Sequence, residues 1–109
     1  LIVRPKHKNS LAQTICRCHQ QYSSYVHKKN KIQGHLWQER FFSCLLLGNH
    51  IPCAIRYVER NPVRAGIVEY PWEYAWSSAK AHLGAVYKAI TLSDFSDYIQ
   101  SINWKEFIS

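Results

Sequence analysis

Arg56-Tyr57-Val58-Glu59-Arg60-Asn61-Pro62-Val63-Arg64-Ala65-Gly66-Ile67-Val68 is the stretch on which the reading of this chain turns. Upstream of it, Ile51, Ala54, Ile55 and Val58 fall at helical spacing, which predicts a helix from about Asn49 to Arg60. Asn61-Pro62 should end that helix, because proline has no N–H to donate and biases the preceding residue away from helical angles. Pro62 can then open a short turn that closes near Gly66, with Ile67-Val68 extended. Tyr57 and Asn61 stand four apart and Arg64 three beyond, so the first two share a face away from the apolar stripe and Arg64 extends it. A Tyr–Asn pair of this kind serves more often as packing and cap than as chemistry.

Outward from this stretch, Leu11, Ile15, Cys18, Tyr22 and Val26 repeat at spacings of four, three, four and four. They predict an amphipathic helix capped by Ser10 and running to about Lys28. Lys28, Lys29 and Lys31 then sit near its C-terminus, where cations suit the helix dipole or can hold phosphates. The aromatic and aliphatic run between Gly34 and Gly48 predicts a strand from about Phe41 to Leu46, and Leu1-Ile2-Val3 resembles the tail of another. The Tyr70–Trp76 stretch is aromatic, Ser77-Ser78 opens a short helix, and Thr91–Ser109 holds one or two more, with Ser93 or Asp94 as caps.

With 109 residues there is room for one domain. The longest aliphatic block, Leu45-Leu46-Leu47, is far below the ~20 residues of a membrane span. No export leader is visible, so a cytoplasmic protein without membrane contact is expected. Cys16, Cys18, Cys44 and Cys53 lack the paired spacing of a zinc site and are expected as reduced thiols. Fourteen Lys/Arg against seven Asp/Glu leave a net charge of +7. Up to Arg64 there are eleven basic residues and two acidic ones, a net +9, whereas the remainder has three against five, a net −2. Such a basic half suits nucleic acid, with a merely solvated face as the competing account.

Three ordered blocks carry a resemblance. Gly34-His35-Leu36-Trp37-Gln38-Glu39-Arg40-Phe41, the stretch Arg56–Val68, and Tyr74-Ala75-Trp76-Ser77-Ser78 resemble the REP-associated tyrosine transposases. These are IS200-like, single-tyrosine HUH enzymes of mobile elements. The resemblance spans about residues 1–80, as the C-terminal part of the catalytic domain, with 81–109 as a helical extension. It implies an α+β, ferredoxin-like fold: an antiparallel sheet with helices on one face, here truncated at the N-terminus.

The implied chemistry is cleavage and rejoining of single-stranded or hairpin DNA through a 5′-phosphotyrosine at Tyr57. A phenol, with an ordinary pKa of about 10, is a poor nucleophile without help. The family supplies Mg²⁺ or Mn²⁺, held by a His-hydrophobic-His pair and an amide that Asn61 matches. That pair precedes a run like Leu1-Ile2-Val3 in the family. None of His7, His19, His27, His35, His50 and His82 has the required spacing. Metal binding by these 109 residues is therefore doubtful, and they are expected not to cleave DNA; a catalytically inactive DNA-binding remnant is the alternative. A residual sheet would expose edges that a second copy in a homodimer, or a further segment, would have to cover.

For DNA contact the candidates are Arg40, Arg56, Arg60 and Arg64, together with Lys28, Lys29 and Lys31. Exposed pairing of the arginines with Glu39 and Glu59 is the competing account. Trp37 and Phe41 read as core rather than as stacking surfaces, and Trp72 and Trp76 as packing for the C-terminal extension.

Overall fold

Five α-helices and two 3-10 turns make up the regular structure of the computed structural model, which describes residues 1–86 and 91–109. The part of the 81–109 extension at 87–90 lies outside the described residues. The chain divides into two units: Val3–Cys44, and Leu45–Ser109 with Leu1–Ile2.

The first unit is built on α1, Ser10–Asn30. Asn9 holds the N-cap position, and the Ser10 hydroxyl accepts from the His7 amide at 3.1 Å. The helix ends at Lys31, which adopts the left-handed conformation with φ 52°. Its half-covered side runs through Leu11, Ile15, His19, Ser23, Val26 and His27, whereas Cys18 and Tyr22 are exposed. No residue of α1 is buried. Trp37 returns to the helix and stacks on His19, with ring centroids 4.1 Å apart and planes 16° apart.

In the second unit, α2 spans His50–Glu59, α3 Asn61–Arg64, α4 Ala79–His82 and α5 Trp104–Ile108. The 3-10 turns are Pro71–Glu73 and Ser96–Tyr98. Ala79, Trp104 and Ile108 form the buried apolar centre, flanked by Ile55, Trp72, Leu83, Phe95, Ile99 and Phe107. Trp72 thus joins this core, while Trp76 is exposed. The cap of α5 is Asn103, whose side-chain oxygen accepts from the Glu106 amide.

The expected ferredoxin-like antiparallel sheet is absent: the described residues contain no strand. Phe41–Leu46, Leu1–Val3 and Ile67–Val68 carry strand-like composition, but a strand exists only when its N–H and C=O groups pair with a neighbour. None of these segments is assigned as a strand. Phe42 accordingly stands 91% exposed. No helix among the described residues is long and apolar enough to cross a membrane.

Candidate functional site

The backbone passes from α2 into α3 without losing helical direction. Arg60, between them, has φ −82° and ψ −5°, its amide donates to the Arg56 carbonyl, and its carbonyl accepts from the Arg64 amide, both at 2.9 Å. Proline is tolerated here because it lies in the first turn of α3, where its missing donor is not required. The helix then closes on a Schellman turn: the Gly66 amide donates to the Val63 carbonyl and the Ile67 amide to the Pro62 carbonyl. Gly66 has φ +68°, a conformation that needs no Cβ.

One face of this two-part helix is open. Tyr57 is 56% exposed, outside the core, and Asn61 is exposed one turn on. Arg64, a further turn along, places its guanidinium 4.8 Å from the centre of the Tyr57 ring. That contact, spanning seven residues, shows that the face survives the Asn61-Pro62 junction.

The opposite face is closed: Pro52, Glu59 and Pro62 are buried, and Ile55 beside them is half-buried, as are Ile51, Ala54 and Val58, which with Ile55 made up the expected apolar face. Glu59 is 1% exposed. Its Oε1 accepts from the Ser78 hydroxyl at 3.2 Å and from His82 Nδ1, and its Oε2 accepts from the Trp104 indole N–H at 3.2 Å. Three donors from α4, its N-cap and α5 thus compensate a buried charge that would otherwise be costly. Glu59 is therefore no surface partner for the arginines. Sequence reasoning missed this hub, although its three-four-three spacing from Pro52, Ile55 and Pro62 marks it as an inward position.

The candidate DNA contacts separate by unit. Arg56, Arg60 and Arg64 share the second unit with Tyr57 and Asn61; Arg40, Lys28, Lys29 and Lys31 belong to the first. Arg56 is engaged by the end of the chain: its Nε donates to the Phe107 carbonyl and its guanidinium lies 4.9 Å from the Phe107 ring centre. Arg60 is half-buried, while Arg64, Arg40, Lys28, Lys29 and Lys31 are exposed.

Among the described residues no three His, Cys, Asp or Glu come together as a metal-holding group. Asn61 supplies one neutral oxygen, which cannot replace the hydration shell of a hard cation. The residues do not fit Mg²⁺ or Mn²⁺. Comparisons with protein-family models, with curated proteins and with solved structures gave no match.

Proposed function

We propose that this chain is part of a DNA transposase that cleaves and rejoins single strands through Tyr57. The observation that carries the reading is the Arg64 guanidinium held over an exposed tyrosine ring. A cation beside the phenol ring attracts a phosphate to the neighbourhood of the hydroxyl. In the reaction, the Tyr57 oxygen bonds to phosphorus as its proton leaves, and the bond from phosphorus to the 3′ oxygen breaks. The products are a 5′-phosphotyrosine and a strand ending in a 3′-OH, and attack by such a 3′-OH reverses the step. Asn61 lines the same face. The resemblance of the three sequence blocks adds the family, and a cytoplasmic location accords with a DNA partner.

A labelled single-stranded oligonucleotide and a denaturing gel test the reading. The 109-residue chain with Mg²⁺ or Mn²⁺ is expected to leave no covalent band. The chain extended upstream by a segment ending in His-hydrophobic-His is expected to give one, and Tyr57→Phe to abolish it. No band from the extended chain would leave the binding-remnant alternative. A band surviving Tyr57→Phe would move the nucleophile elsewhere, with Tyr22 and Tyr25 next.

A further inference from the structure

The first unit has its own chemistry. Residues 3–44 contain eight Lys/Arg and one Glu, a net +7. Cys18, Tyr22, Tyr25 and Lys29 follow one another along α1 at spacings of four, three and four, and all four are exposed. Tyr22 is 54% and Tyr25 58% open to solvent. Beside them, Trp37 lies flat on His19, its ring centre 5.9 Å from that of Tyr22. Its indole N–H donates to the His19 carbonyl at 3.4 Å, which fixes the ring against the helix. Lys29 holds its ammonium 5.6 Å from the Tyr25 ring centre. Lys28 and Lys31 add charge at the same end.

We infer that this face of α1, formed by Tyr22, Tyr25 and Trp37 with Lys28, Lys29 and Lys31, binds single-stranded DNA by stacking its bases. Exposed rings offer flat surfaces that unstacked bases can cover, and duplex DNA keeps its bases stacked on one another. The lysines supply the phosphate contacts that such binding needs. The inference shares its partner with the reading of Tyr57 but uses a separate surface, so the two can fail separately.

The test is fluorescence anisotropy of the 109-residue chain with labelled oligo(dT) of about 20 nucleotides, long enough for one or more such sites. An abasic strand of the same length keeps the phosphates and removes the bases. Stacking predicts that the abasic strand binds at least about tenfold more weakly than oligo(dT). The Tyr22→Leu/Tyr25→Leu variant, which keeps apolar bulk and helix propensity, should lose about tenfold on oligo(dT) and little on the abasic strand. Trp37→Leu should act in the same direction. Trp76→Leu, an exposed aromatic of the other unit, should bind as the parent does. Lys28→Gln/Lys29→Gln should reduce the slope of log K against log salt by about 1.4, at ~0.7 per phosphate contact on a single strand. Equal binding of oligo(dT) and the abasic strand, or tyrosine variants that bind as the parent does, would overturn the stacking face. Neither result would touch the Tyr57 adduct expected of the upstream-extended chain. Absence of that adduct from the extended chain, with oligo(dT) binding of the 109-residue chain intact, would sink the transposase reading and leave this face standing.

Discussion

The indole N–H of Trp104 donates to the carboxylate of Glu59 across 45 residues of sequence, joining the last helix to the one that carries Tyr57. Ser78 and His82 complete the shell of that carboxylate. The exposed face of α2 therefore has its position set from behind, by polar contacts within an apolar core.

Removing the carboxylate leaves three donors facing it without an acceptor. Glu59→Ala should lower the unfolding free energy by about 3 kcal/mol, within the range for breaking buried charge-assisted hydrogen bonds. Trp104→Phe, which deletes one donor and some packing, should cost about 1–2 kcal/mol. Urea denaturation followed by circular dichroism checks both. A Glu59→Ala variant within 0.5 kcal/mol of the parent, the range of ordinary surface substitutions, would refute the hub.

Gly66 closes α3 in the left-handed region. Gly66→Ala should destabilise the protein by about 1 kcal/mol, because a Cβ there meets the backbone penalty of that conformation. No atom outside its immediate chain neighbours lies within 4 Å of a Cβ added at this position, so the effect is conformational rather than steric crowding. An unchanged denaturation midpoint would contradict the Schellman closure.

Lys31 presents the opposite case, a branched-off side chain where glycine is favoured. Lys31→Gly should strengthen the end of α1 by about 1 kcal/mol, and slow amide exchange over its last turn. It should also weaken oligo(dT) binding if the ammonium contacts phosphate. Faster exchange in that turn would show that the left-handed cap is not formed.

Asp94 is held below its ordinary carboxyl pKa of 3.8, first by the Ser96 amide at 2.9 Å and then by the Ser96 hydroxyl at 3.0 Å. A depressed folded pKa stabilises the folded turn above the unfolded value, and that contribution disappears as pH falls through the folded value. The Ser96–Tyr98 turn should therefore loosen only below pH 3.8. Carbon-detected titration of the Asp94 carboxyl checks this. A midpoint at or above 3.8 would remove the Ser96 contacts.

The long helices were legible because their signals are local. Apolar spacing places α1 and α2 close to their observed limits of Ser10–Asn30 and His50–Glu59. The sheet was misread because residues such as Phe41 and Phe42 show that a segment suits a strand, and say nothing of whether another segment pairs with it. The stripe of α1 shifted for a related reason: Trp37, seven residues past its end, stacks on His19, a position outside the expected stripe. Tyr57, Asn61 and Arg64 could be placed on one face from spacing alone. Glu59 could not be understood so, since its partners lie 19, 23 and 45 residues downstream.

Those separations matter while the chain is being made. At roughly 5–20 residues per second, Glu59 leaves the peptidyl-transferase centre about 2–9 s before Trp104 is added. Throughout that interval the Glu59 carboxyl has no indole N–H to accept from, and Arg56 has no Phe107 carbonyl to donate to. The carboxyl therefore waits for the partners that later enclose it, and the unit can close around Glu59 only after its last helix has been made.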